Sequence, residues 1–283
     1  MTPTYRQDPP QEFAELLALW NDIKTFLGTD SDSEIDYFEN AMSTGSWAWD
    51  PIFEQRHPSR INRLGDVLLG PLYTSADHPW PEKNGVPMIP LLQLDLDNAS
   101  KLGGLNLGGG LVQAFVAVDD YLGQKIRVRT IDRMDVSANA LDPVPNFVTE
   151  GRVFASVDWA KPNLDADESP CLQITGYQHK RFSFSGSSAL SEWINFEKFS
   201  PEEKVKMLRF DEILESCSTD WSGGGFHLLG TFYPIQYKQD ERDWPLFCLE
   251  SDHGFNFGDG QGQLFFDVDG SGEVFFYFDW SCY

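Results

Sequence analysis

Basic residues are scarce in this chain: 21 Lys and Arg stand against 44 Asp and Glu, a formal net charge of −23. A field of that sign repels nucleic acid and anionic lipid and attracts basic partners, with association that weakens as salt rises. Cysteine is scarce too. Cys171, Cys217, Cys248 and Cys282 are widely spaced and form no CxxC pair. The five histidines, His57, His78, His179, His227 and His253, form no HxH, HExxH or Cys/His knuckle, so no metal site is read from spacing. No run approaches the roughly 18 apolar residues that a membrane span requires. Residues 1–10 hold no basic stretch followed by an apolar one, so no secretory signal is expected. The expectation is a cytoplasmic protein with reduced thiols, with neither nucleic acid nor membrane as a direct partner.

What is present points to a large folded core. At 283 residues the chain can bury roughly three quarters of the surface it would expose unfolded. Apolar residues make up 41% and aromatics 14%, which excludes a disordered protein. The 22 Phe and 9 Trp suit broad sheet faces.

One cassette occurs twice. The first copy reads Leu68-Leu69-Gly70-Pro71-Leu72-Tyr73, then Pro90-Leu91-Leu92-Gln93-Leu94-Asp95-Leu96-Asp97, Gly108-Gly109-Gly110 and Gln113-Ala114-Phe115-Val116-Ala117-Val118-Asp119. The second reads Leu228-Leu229-Gly230-Thr231-Phe232-Tyr233, then Pro245-Leu246-Phe247-Cys248-Leu249-Glu250-Ser251-Asp252, Gly258-Asp259-Gly260 and Gln263-Leu264-Phe265-Phe266-Asp267-Val268-Asp269. The offset between copies falls from 160 to 155 to 150, so each connecting loop is five residues shorter in the second. Repetition of one supersecondary unit predicts a pseudo-symmetric scaffold.

Along the chain, Phe13, Leu16, Leu17, Trp20, Ile23 and Leu27 recur at helical spacing, which predicts an amphipathic helix over 10–28 closed by Gly28. Ser31 and Glu34 have capping-box form and introduce a short helix with Ile35, Phe38 and Met42. The alternation Leu92, Leu94, Leu96 predicts a half-buried strand, with further strands at about 111–118 and 125–131. Residues 139–170, rich in Pro, Asp and Asn, read as an irregular connection with one strand near 153–157. Ser200-Pro201-Glu202-Glu203 opens a helix whose buried stripe is expected to hold Val205, Leu208, Ile213, Leu214 and Cys217. Phe265, Phe266, Phe275, Phe276 and Phe278 mark two paired strands around Asp269-Gly270-Ser271-Gly272.

The fold class expected is α+β, with mainly antiparallel sheets in two pseudo-symmetric halves and the N-terminal and central helices packed on them. The organisation is one domain over 1–283. It comprises a helical segment 10–45, a first cassette 66–132, a connection and helical insert 139–220, and a second cassette 226–283.

Chemistry is harder to read. Asp267, Asp269 and Ser271 with Gly272 resemble the start of a calcium loop, but the twelfth position is Phe278 and the flanks read as strands, so a hairpin turn is the reading. The triple glycines at 108–110 and 223–225 lack the Lys-Ser/Thr of a phosphate loop and read as turns. The serines at 183–188 lack a nucleophile-elbow motif and a nearby His. No catalytic residue and no cofactor is assigned. The polar faces of the equivalent strands carry Gln93, Asp95, Asp97 and Cys248, Glu250, Asp252, either as a solvated face or as an acidic binding surface. Acids also cluster at Asp119-Asp120, at Asp165, Asp167 and Glu168, and at Asp240, Glu241 and Asp243.

Several of these motifs together resemble the YwqG-like family, a bacterial domain of unknown biochemical function. In the first half they are Gly70-Pro71-Leu72-Tyr73, Trp80-Pro81, Gly85 and Pro87, and Leu91 to Leu96, followed by Gly110-Leu111 and Phe115. In the second they are Leu229-Gly230-Thr231-Phe232, residues 246–252, Gly258-Asp259-Gly260, Leu264-Phe265-Phe266 and Phe278-Asp279-Trp280. The resemblance spans roughly 64–132 and 226–283. This chain departs from the family's pattern at Leu69-Gly70, Cys248 and Phe257.

The resemblance implies a fold of two related halves, no established enzyme activity, and a place in bacterial competition systems, where some members are immunity proteins. Joined to the charge, it leads to the expectation of a cytoplasmic immunity protein that binds and neutralises a cognate basic toxin. That toxin would be a nuclease delivered by contact-dependent or type VI secretion. The acidic clusters would steer encounter, and Trp47, Trp49 and Trp221 would anchor the interface. The alternative is a ligand- or metal-dependent enzyme using Asp252, His253, Asp259 and His227 between the halves.

Overall fold

The computed structural model describes residues 11–27, 35–36, 38–39, 46–117, 126–132, 134–135, 143–150, 155–156, 171–183, 190, 194–217, 225–230, 244–250, 255–256 and 261–281. In chain order the elements are α1 (Gln11–Leu27), β1 (Ser46–Gln55), β2 (Val67–Leu68), β3 (Glu82–Lys83), β4 (Val86–Pro87) and β5 (Ile89–Asp95). They continue with α2 (Leu96–Gly103), β6 (Leu111–Val116), β7 (Ile126–Ile131), β8 (Ala155–Ser156), β9 (Leu172–Ser183) and α3 (Pro201–Cys217). The last are β10 (His227–Leu229), β11 (Trp244–Glu250), β12 (Phe255–Asn256), β13 (Gln261–Val268) and β14 (Val274–Ser281). No helix among the described residues is long and apolar enough to cross a membrane.

Ten strands form one antiparallel sheet in the order β14-β13-β11-β10-β1-β9-β2-β5-β6-β7. The edge strands β7 and β14 come back into contact, so the sheet is nearly closed. The fold is α+β. At its centre β1 and β9 pair from Ser46↔Ser183 to Gln55↔Leu172, with register shifts at Trp49/Asp50 and Ile52/Phe53. On one side β2 pairs β5 as Val67↔Gln93 and Leu68↔Leu92; on the other β10 pairs β11 as His227↔Cys248 and Leu228↔Phe247. A bulge interrupts β5–β6 between Pro90 and Leu92, and another interrupts β11–β13 between Pro245 and Phe247.

Both Leu-Leu-Gly motifs bend the chain through the left-handed region at a leucine, Leu69 with φ 49° and Leu229 with φ 59°. A non-glycine residue there costs on the order of 1–3 kcal/mol. Both side chains are fully buried in the main core, and that burial holds them in place. Gly110 is obligatory at the turn into β6. Its φ is +84°, and a Cβ would stand 2.0 Å from the Ile131 carbonyl oxygen.

The main core fills the concave side of the sheet with Leu68, Leu92, Leu94, Val112, Ala114, Leu228, Phe247, Leu264 and Phe266. It also takes in Leu96 and Ala99 of α2, a helix absent from the sequence expectation, where Leu96 continued the strand alternation. Asp95 caps α2 by accepting from the Asp97 and Asn98 amides, and Gly104 ends it in the left-handed region.

Two expectations are corrected. Among the described residues the N-terminal helix forms no layer on the first cassette: α1 packs on α3 through Phe13, Leu16, Trp20, Ile23 and Leu27 against Met207, Phe210, Ile213 and Leu214, a separate apolar cluster. Within α3, Val205 and Leu208 are exposed and Met207 and Phe210 take the buried stripe. The start signal holds: Glu203 accepts from the Ser200 amide at 2.8 Å, and the Glu203 amide donates to Ser200 Oγ at 3.3 Å. The strands at 111–116, 126–131 and the final hairpin stand where the alternation put them, and the connection holds only β8 and a one-turn helix, Asn146–Thr149, among its described residues. Gly28, Ser31, Glu34 and Met42 lie outside the described residues.

Candidate functional site

The convex face of the first cassette carries a polar row that crosses adjacent strands in register: Gln173 opposite Val67, Val67 opposite Gln93, Gln93 opposite Gln113, Gln113 opposite Arg129. Gln93 and Gln113 are wholly buried, so the expected solvated or acidic face is corrected at Gln93, while Asp95 is half-buried and Asp97 exposed. The segment at 61–81 covers them, and the amides act as substitute backbone. Gln93 Oε1 accepts from the Tyr73 amide at 2.8 Å and from Gln113 Nε2 at 2.7 Å. Gln93 Nε2 donates to the Arg63 and Gly65 carbonyls at 3.1 and 2.7 Å. Gln113 Nε2 also donates to the Tyr73 carbonyl at 2.9 Å, and its Oε1 accepts from Arg129 Nε at 2.7 Å. Buried polar groups stay cheap only when paired in this way.

Arg129 ends the row. It donates to the Pro79 carbonyl at 2.7 Å, and its guanidinium stands 5.3 Å from the centroid of the Phe115 ring. Burial, with Arg127 beside it, lowers its pKa to about 10, so it remains charged at neutral pH. In the second cassette His227, Cys248, Gln263 and Asp279 stand opposite one another across adjacent strands. There His227 Nδ1 lies 2.9 Å from the Gly225 carbonyl oxygen, and Gln263 Nε2 donates to Gln261 Oε1 at 3.4 Å. His227 and Cys248 are buried cross-strand neighbours. The first row ties the sheet to the segment that crosses it.

A second polar cluster faces inward. Asp66, buried just before β2, accepts from the Asp95 amide at 2.6 Å and from the Tyr177 hydroxyl at 2.7 Å. Burial raises its pKa to about 6, and the nearby Asp95 carboxylate pushes the same way against the two hydrogen bonds and Asn98. The Tyr177 phenol is pushed up by burial and by the charge of Asp66. Sequence reading missed this cluster. Asp66 and Tyr177 lie 111 residues apart, and no spacing rule joins them.

Of the residues expected to meet a partner, Asp119, Asp120, Asp165, Asp167, Glu168, Asp240, Glu241, Asp243 and Trp221 lie outside the described residues. Trp47 and Trp49, expected to be exposed anchors, are half-buried on β1, and Trp49 packs against the main core. Of the four residues of the enzymatic alternative, Asp252, His253 and Asp259 lie outside the described residues. No three His, Cys, Asp or Glu side chains form a metal-holding group among the described residues. In the loop that resembled a calcium site, Asp269 Oδ1 accepts from the amides of Ser271 and Glu273 and from Ser271 Oγ, closing the β13–β14 hairpin. No protein-family model matches the chain, and no curated protein matches it.

Proposed function

We propose that this protein is a cytoplasmic immunity protein that binds a basic secreted toxin, most simply a nuclease, and blocks it stoichiometrically without chemistry of its own. The excess of 44 acidic over 21 basic residues carries this reading. A net charge of that size accelerates encounter with a basic partner and rejects acidic competitors. The described surface is consistent with it: Asp77, Glu82, Asp97, Asp132, Asp135 and Glu150 are exposed. The buried polar side chains Gln93, Gln113, Gln173 and Asp66 have hydrogen bonds within the fold, which supports a scaffold role for them. The resemblance to the YwqG-like family supports the same reading. So do the matching registers, bulges and left-handed leucines on either side of β1 and β9, from which we infer two copies of one unit.

The test is capture from the source lysate on the immobilised chain at low and at high salt, with the captured protein then assayed for nuclease activity. One basic protein held one-to-one at high salt, and silenced in the complex, is the expected result. Basic proteins that salt washes away, or a bound protein whose activity is unchanged, would sink the proposal.

A further inference from the structure

The sheet has a narrow waist at β2. This strand is two residues long, yet it alone joins β5, β6 and β7 to the central pair within the described sheet order. Asp66 widens the waist by one rung on each side. Its carbonyl oxygen accepts from the Ile174 amide at 3.0 Å and from Gln173 Nε2 at 2.7 Å, tying it to β9. Its carboxyl group takes the Asp95 amide, where the ladder to β5 would continue, and the Tyr177 hydroxyl of β9. One side chain therefore bridges both neighbours of the waist.

We propose that Asp66 is a proton-responsive clasp at this waist: its buried carboxyl bridges both neighbours of β2, and the fold is more stable with that carboxyl neutral than with it ionised. The titratable groups that face it are Asp95, from the β5–α2 junction, and Tyr177, from β9; Asn98 adds a neutral side chain. None of these is a cation. An ionised Asp66 thus sits out of water beside a second carboxylate with only neutral donors to hold its charge, which is the arrangement that favours the protonated form. The direction of the effect follows from linkage. A carboxyl whose folded pKa lies near 6, above the ordinary value of about 3.9, binds its proton more tightly folded than unfolded. Stability is therefore highest below about pH 4 as far as this group is concerned, and it is lost as pH rises through 6.

The test uses the full chain. Melting temperatures of the wild type and Asp66→Asn are compared between pH 7.5 and 4.5, and the Asp66 carboxyl is titrated by carbon NMR with labelled aspartate. The many other acids affect both proteins alike, so the difference isolates Asp66. The wild type should gain about 4 °C on the variant as pH falls across that range. The carboxyl should titrate above pH 5. Tyr177→Phe removes a donor to the charged form and should move that midpoint upward, a shift that loss of packing alone would not cause. It also keeps the proposal testable where Asp66→Asn does not fold. A melting difference that is flat with pH, or a carboxyl that titrates near 4 and is unmoved by Tyr177→Phe, overturns the clasp.

Discussion

The two waists of the sheet do the same mechanical work with opposite chemistry. On one side β2 ties three outer strands to β9, and the residue before it is Asp66, held by hydrogen bonds. On the other side β10 ties β11, β13 and β14 to β1, and the residue before it is Phe226. Phe226 meets Phe53 edge-on at 5.2 Å between centroids and Phe255 at 5.9 Å. A carboxyl joint is directional and answers to pH; an aromatic joint is neither. The same contrast runs along the convex rows. Gln93 makes four hydrogen bonds to the crossing chain and its neighbour, whereas at Cys248 a thiol stands 3.7 Å from Gln261 Oε1. Two short strands with the same place in the strand order thus carry joints of different chemistry.

The comparison is broken most severely at the aromatic waist. Phe226→Ala removes both ring contacts from a buried position and should cost about 3–5 kcal/mol in chemical denaturation. A loss below about 1 kcal/mol would mean that Phe226 is no joint. Next come the glycines that follow the left-handed leucines. Gly230 has φ +91°, and a Cβ there would stand 2.6 Å from that of Ala48. At Gly70 the nearest atom is the Val67 Cγ1 at 2.9 Å, and φ is not in the left-handed region. Gly230→Ala should therefore cost about 3 kcal/mol and Gly70→Ala about 1 kcal/mol; equal losses would erase this difference between the halves. Exchanging Gln93 for the residue at its counterpart, Gln93→Cys, strands the Tyr73 amide and two carbonyls. It should cost about 2 kcal/mol and raise hydrogen exchange at residues 63–75, where a mere packing defect would leave exchange local to β5. The smallest effect is that of salt. Raising it should screen the self-repulsion of a chain of net charge −23 and lift its melting point slightly, while slowing association with a basic partner.

Much of the sheet was legible because alternation survives wherever one face is buried, as at residues 111–116 and 126–131 and in the Phe-rich final hairpin. The long strand β1 was not. Pro51 lies in its middle and argues against a strand interior. The chain accommodates it where the register shifts on either side and where β10, paired only with Ala48 and Trp49, no longer covers that edge. Helix α2 was hidden because Leu96 falls in phase with Leu92 and Leu94, although Asp95 stood in the sequence as its cap. Gln93 was visible as the polar member of an alternating strand, but alternation marks the face and not what covers it. The Asp66 cluster was invisible for a simpler reason. Its members come from three separate stretches of chain, and only the pairing of β9, β2 and β5 brings them together.

Neutralisation in living cells tests the central claim most directly. The basic protein captured by this chain would be expressed under tight control in a sensitive host, with and without the chain, and with a variant carrying Asn and Gln at the acidic clusters. The wild-type chain should restore growth, the charge variant should restore it poorly, and the purified complex should be one-to-one. Growth that stays arrested in the presence of a folded, equally expressed chain would contradict the claim.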